Sequence, residues 1–183
     1  VKTIGQNDDR VVTHDTRDGI ANCFWQADGE HLLYFQDRSG DENTHLFQVD
    51  MRSGQTRDLT PFANARAMGL IRSPQQASTL LVHVNARDER FFDLYRLDLK
   101  TGKITLDTPN PGDVSRFFAD RRLRVRAAAV TNPDNSAEIR VRDGDAWRPL
   151  IGWGAEEMNS NNTGIAGFNA DGSKRNSLAG SLQ

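Results

Sequence analysis

A ten-residue phrase of this chain returns, without a gap, 48 positions further on. His45-Leu46-Phe47-Gln48-Val49-Asp50-Met51-Arg52-Ser53-Gly54 becomes Asp93-Leu94-Tyr95-Arg96-Leu97-Asp98-Leu99-Lys100-Thr101-Gly102. Leu, Asp and Gly recur identically, and the aromatic, aliphatic, basic and hydroxyl positions recur in kind. Self-similarity at a period of this size marks a repeat architecture, in which one supersecondary unit is copied and its copies stack to bury their apolar faces. Each phrase alternates in character and ends at Ser/Thr-Gly, where glycine accepts the positive φ of a tight turn, so each reads as a strand followed by a turn. Trp25-Gln26-Ala27-Asp28-Gly29 is matched by Phe168-Asn169-Ala170-Asp171-Gly172 at a separation of 143 residues, close to three times 48.

Each unit follows one plan: an apolar strand ending in Trp or Phe, an Asp-Gly turn, then further strands. In the first full unit the expected strands are Ile20 to Trp25, His31 to Gln36, His45 to Asp50 and Thr56 to Thr60. The second begins near Ala67, replaces the Asp-Gly turn by Ser73-Pro74, continues with Thr79 to Asn85 and closes near Leu106. The third has Leu123 to Val130, Glu138 to Arg142 and Trp147 to Ile151. A fourth opens with Gly164 to Phe168, and Val1 to Thr13 read as the last strands of a preceding unit. Helical periodicity is not sustained anywhere, whereas period-two alternation is frequent, as in Leu80, Val82 and Val84 against Leu81, His83 and Asn85.

Four short antiparallel strands per repeat of roughly 40–50 residues are the blade of a β-propeller. The expected fold class is therefore all-β, a partial β-propeller of about three full blades with partial blades at both ends. The expected divisions are 1–19, 20–64, 65–111, 112–154 and 155–183. The chain starts at Val1 in strand-like sequence, so further sequence is expected on both sides. Terminal blades lacking neighbours would expose strand edges, which favours self-association.

A net charge of −2 offers no field for drawing in nucleic acid, and no apolar stretch is long enough to span a bilayer as a helix. Neither nucleic acid nor a membrane is an expected partner. Localisation stays open, with the cytoplasm as the working expectation. The single cysteine, Cys23, excludes an internal disulfide; its neighbours Asn22 and Phe24 suggest a buried strand position. His14, His31, His45 and His83 lie on different predicted strands without metal-ligand spacing, and no cofactor is expected.

The ordered phrases resemble the prolyl-oligopeptidase clan of serine peptidases, specifically its acylaminoacyl-peptidase and dipeptidyl-peptidase-like members. The resemblance is densest in Lys2-Thr3-Ile4-Gly5-Gln6, Phe24-Trp25 and Tyr34 to Leu46, including Gln36-Asp37-Arg38-Ser39-Gly40-Asp41-Glu42-Asn43. It continues through Arg57-Asp58-Leu59-Thr60-Pro61-Phe62, Arg87-Asp88, Phe92 to Asp98 and Asn110-Pro111-Gly112-Asp113-Val114, up to about Gly172. It implies a propeller capping an α/β-hydrolase domain of the same parent chain and gating the entry of peptide substrates. The nucleophile of that family sits in Gly-x-Ser-x-Gly, which this chain lacks. Ser181 follows Gly180 but precedes Leu182 and Gln183, so no catalytic residue is assigned. After Gly172 the polar Lys174-Arg175-Asn176-Ser177 stands where an aliphatic strand would continue, and the last ten residues are expected to be frayed or displaced.

Two groups of polar residues are candidate contacts. Asp37, Ser39, Asp41 and Asn43 alternate oxygen-bearing side chains across a glycine, but in the wrong order for an EF-hand loop, so a hydrogen-bonded turn is the simpler reading. Asp41 or Glu42 would alternatively recognise a substrate amino group. Arg122, Arg124 and Arg126 alternate with Leu123 and Val125, giving a strand with one cationic face. A hairpin would bring Glu138 to that face as a salt-bridged surface; binding of a peptide carboxylate or docking to the hydrolase domain is the alternative. Trp25, Trp147 and Trp153 read as inter-blade packing, with Trp153 the most exposed. The rival to a peptidase propeller is a free-standing TolB-like or WD-type interaction module. A propeller glycosidase or lyase would need acids on the innermost strands, and Ile20 to Trp25 and Ala67 to Arg72 contain none.

Overall fold

The computed structural model describes residues 1–13, 19–37, 40–158, 164–169 and 175–178. The first sheet contains β1 (Ala21–Trp25), β2 (His31–Gln36), β3 (His45–Asp50) and β4 (Thr56–Asp58), hydrogen-bonded in that order. The second contains β5 (Ala67–Arg72), β6 (Thr79–Asp88), β7 (Phe91–Asp98) and β8 (Ile104–Thr108), again in chain order. The third repeats the meander with β9 (Val114–Ala119), β10 (Val125–Thr131), β11 (Ala137–Asp143) and β12 (Ala146–Trp153). A two-stranded sheet follows, β13 (Gly164–Phe168) with β14 (Arg175–Leu178). Every pairing is antiparallel. Helical structure among the described residues is confined to a 3-10 turn at Pro74–Gln76 and one α-turn, α1 (Ala155–Met158). The fold is a partial β-propeller whose blades are these sheets.

The repeat seen in the sequence is a repeat in space. Its two copies are the third strands of adjacent sheets, β3 and β7. At their ends the Asp50 carboxylate accepts from the amides of Arg52 and Ser53 at 2.7 and 3.0 Å, and that of Asp98 accepts from Lys100 and Thr101 at 2.9 and 2.8 Å. The Gly54 and Gly102 amides donate back to the Asp50 and Asp98 carbonyls, each at 2.8 Å. An Asp side chain that satisfies turn amides is a reason for its recurrence here.

Strand alternation sends successive side chains to opposite faces, and each face meets a different blade. Leu80, Val82, Val84, Tyr95 and Leu97 join Leu33, Phe35 and Leu46 in a layer between the first and second blades. Leu81 and Leu94, from the other faces of β6 and β7, join Phe117, Leu123, Val125 and Ala128 between the second and third. The outer face of the first blade gathers Leu32, Tyr34, Phe47, Val49 and Met51 around Val12. The hydrophobic core is thus a set of layers on the faces of the sheets, with those of the second sheet shared with its two neighbours.

Several sequence expectations are corrected. Val1–Thr13 forms no strand; its polar groups close a loop on themselves, with paired backbone bonds between Val1 and Arg10 and the Thr3 amide donating to Asp8 at 2.8 Å. Cys23 is exposed, on the first strand of its sheet, which has a strand neighbour on one side only. Trp25 is 50% exposed, whereas Trp153 is half-buried against Ala127 and Ile139. β10 starts at Val125 because Leu123 adopts φ +55° in a turn that drives its side chain into the second core layer. The polar Arg175-Asn176-Ser177-Leu178 does form a strand, pairing Arg175 with Phe168 and Leu178 with Gly164. Backbone pairing does not depend on aliphatic side chains there. The Asp171-Gly172 turn and Ser181 lie outside the described residues.

Candidate functional site

The loop candidates prove to be turn formers. Between β2 and β3, Asp41 accepts from the Asn43 amide at 3.0 Å and faces its Nδ2 at 3.4 Å. Glu42 has φ +61° and its carbonyl accepts from the Thr44 amide at 3.1 Å. Both side chains are exposed. Ser39 lies outside the described residues.

Arg122 and Arg124 are exposed in the β9–β10 turn and Arg126 is half-buried on β10, so the three do not form one strand face. A buried residue that sequence reasoning passed over, Asp120, organises them. One carboxylate oxygen accepts from the Arg122 and Arg124 amides at 2.8 and 3.0 Å, and the other pairs with Arg126 Nε at 2.8 Å. Burial alone would raise the Asp120 pKa, but Arg126 and the two amides outweigh it and hold the carboxyl below its usual range. Glu138 goes elsewhere, to Arg140, whose other guanidinium nitrogen meets Asp113 at 2.7 Å. The expected pairing of Glu138 with the arginines at 122–126 is therefore replaced by two local ion pairs, set by the register that puts Glu138 opposite Val130.

Polar groups also fasten neighbouring blades. Arg57 Nη2 donates to the Leu99 carbonyl of the second blade at 2.8 Å and to Gln48 Oε1 at 2.8 Å. Arg96 donates to the Leu123 carbonyl of the third at 2.5 Å while its Nε pairs with Asp107 at 2.8 Å. Arg10 donates to the Met51 carbonyl, the repeat counterpart of Leu99, and Ser73 Oγ donates to the Arg121 carbonyl. Charged donors on backbone acceptors are strong enough to fix the blade register.

The first strands form the axial edge of the blades, and β9 and β13 touch. Here lie two clefts of about 430 and 440 Å³ that share Gly69, His83, Arg116 and Phe117. Arg90 lines the first and Arg72 the second, and among the described residues neither cleft has an Asp or Glu in its lining. Each first strand carries a one-residue bulge against its neighbour: Asn22 in β1, Gly69 in β5, Ser115 in β9 and Ala166 in β13. Asn22 and Gly69 have φ +58° and +57°. Bulges bend a strand and re-aim its side chains, so the recurrence shapes the axial surface as a unit. Burial, with the nearby Arg116 charge, pushes His83 below its ordinary pKa against a hydrogen bond to the Gly69 backbone, which favours the neutral ring. The positive character of the clefts thus comes from arginine. Sequence reasoning looked for runs of charge and missed Arg72 and Arg116, which stand singly on apolar strands; the alignment of first strands was the available signal.

No family model matches the chain. Among curated proteins, dipeptidyl aminopeptidase BIII of Pseudoxanthomonas mexicana is 38% identical over 139 residues, covering 75% of this chain and 20% of the relative. Dipeptidyl peptidase family member 6 of Caenorhabditis elegans is 28% identical over 131 residues, covering 68% of this chain and 18% of the relative. The chain therefore spans about a fifth of the length of these relatives. A prolyl endopeptidase structure superimposes with TM-score 0.53 at 12% identity, over 85% of this chain and 25% of that one. TolB from Acinetobacter baumannii does so with TM-score 0.50 at 16% identity, over 78% and 34%. Both structures are β-propellers, and at such identities they speak to fold alone. The chain is a segment of β-propeller similar in sequence to dipeptidyl peptidases of the prolyl-oligopeptidase family.

Proposed function

We propose that this chain is the non-catalytic propeller segment of a serine peptidase, with blades at 20–64, 65–111 and 112–154 and a truncated further blade at 155–183. It gates access of small peptides to an α/β-hydrolase domain of the same parent chain. The observation that carries the reading is the 38% identity over 139 residues to a dipeptidyl aminopeptidase. The chain has no Gly-x-Ser-x-Gly and its axial strands β1, β5 and β9 carry no carboxylates, so the reading gives this segment no part in the bond-breaking step. A second reading compatible with the same fold is a free-standing TolB-like or WD-type interaction module that works through its faces, because a propeller fold does not by itself fix function.

The full-length gene product distinguishes them. It should hydrolyse short peptides, spare folded proteins and lose activity to a serine-directed inhibitor, and its sequence should contain Gly-x-Ser-x-Gly followed by Asp and His. A full-length product without that elbow and without inhibitor-sensitive hydrolysis would overturn the peptidase reading in favour of the interaction module.

A further inference from the structure

The axial cleft between the second and third blades has the composition of an anion site. Arg116 on β9 lies over the Phe118 ring at 5.3 Å, and Arg72 at the end of β5 lies over Phe24 at 4.6 Å. Both are exposed. Neither belongs to an ion pair among the described residues, whereas Arg87, Arg90, Arg96, Arg126 and Arg140 each do. A ring beneath a guanidinium restrains its plane and leaves the N–H edge to an external acceptor, and that fork matches a carboxylate.

Shape and surroundings point the same way. The cleft that both arginines line is about 440 Å³, within the range of sites for small ligands, and its other walls include Leu70, Ile71, Phe118 and Phe168. Among the described residues no acid lines it, so an anion meets no repulsion there, while a cationic ligand finds no counter-charge. The bulges at Gly69 and Ser115 lie on the two strands that flank it.

We propose that Arg72 and Arg116 bind the carboxylate of a short peptide in this cleft, holding a substrate at the propeller axis. The peptide nature of the ligand rests on the peptidase reading above; the preference for a carboxylate does not.

The test is calorimetry on the full-length gene product treated with a serine-directed covalent inhibitor, which stops turnover if the hydrolase reading holds and is inert otherwise. A tripeptide with a free carboxylate should bind about tenfold tighter than its C-terminal amide, the scale of one or two charge-assisted hydrogen bonds. The Arg72→Gln, Arg116→Gln double variant should bind acid and amide alike, and the Arg→Lys pair should keep part of the preference. Equal binding of acid and amide by the wild type overturns the proposal, and needs no variant to fold. So does a preference that survives in the double variant. A tripeptide amide with an internal Glu, compared with its Gln counterpart, separates sources: tighter binding assigns the cleft to acidic side chains, equal binding to the C-terminal carboxylate. Carboxylate preference in a product without inhibitor-sensitive hydrolysis sinks the peptidase reading alone.

Discussion

Asp88 accepts from the Arg90 guanidinium at 3.0 and 2.8 Å and from the Arg90 amide at 3.0 Å, all within the β6–β7 hairpin. The guanidinium bonds, then the amide, pull its carboxyl down to about 2, with Arg90 exposed and Asp88 half-buried. In a carboxyl-resolved NMR titration Asp88 should protonate near 2, and Arg90→Ala should return it toward the ordinary 3.8. A titration midpoint unchanged by that substitution would show the pairing is not formed in solution. The sign is that of a depressed acid: the contribution is present above the unfolded value and is lost as the pH falls through about 2. The same local bonding explains why single residues were hard to read. Cys23 and Trp25 carry apolar character that suggested burial, and both are exposed on β1. Asp120 drew no notice in the sequence, yet it holds the arginines that the sequence put forward as a surface. Burial and partner choice depend on which strand lies beside which, and a single strand's pattern does not carry that.

At the scale of the element, alternation and turn chemistry carried most of the information. His31–Gln36, His45–Asp50, Ala67–Arg72 and Gly164–Phe168 are strands with the expected bounds. Where the bounds differ the cause is local: β6 runs on to Asp88 because its hairpin with β7 extends through the Asp88–Phe91 pair. The bulges were invisible, because an extra residue shifts the alternation by one, and in strands of five or six residues such a change of phase leaves too few positions on either side to be read. They are nevertheless testable. Gly69 sits at φ +57° with His83 Nδ1 3.5 Å from where a Cβ would lie, so space is not the obstacle; the backbone is. Asn fills the equivalent position in β1, at φ +58°. Gly69→Asn should therefore be tolerated within a few degrees of the wild-type Tm, whereas Gly69→Val, β-branched at positive φ, should cost about 1–2 kcal/mol or more. Equal melting of the two variants would mean that the bulge relaxes.

For the molecule as a whole, the placement of the core between sheets has an energetic consequence that a single central core would not. Repeat proteins are stabilised by units and nearest-neighbour interfaces, so stability should divide along the layers. Leu94 and Leu123 are both fully buried and share the layer between the second and third blades. Leu33 lies in the layer between the first and second. Each Leu→Ala change should cost about 2–5 kcal/mol, set by how far its layer collapses into the void. Within one layer the two voids merge, so Leu94→Ala with Leu123→Ala should depart from additivity by about 0.5–3 kcal/mol. Across layers, Leu94→Ala with Leu33→Ala should add to within about 0.5 kcal/mol, because the second sheet stands between them. Hydrogen exchange read blade by blade in the full-length product separates these cases: in the first the β10 and β11 amides lose more protection than the single variants sum to, and in the second they do not. Equal coupling across both pairs would show one continuous core, and the layers would then be a description of geometry without energetic meaning.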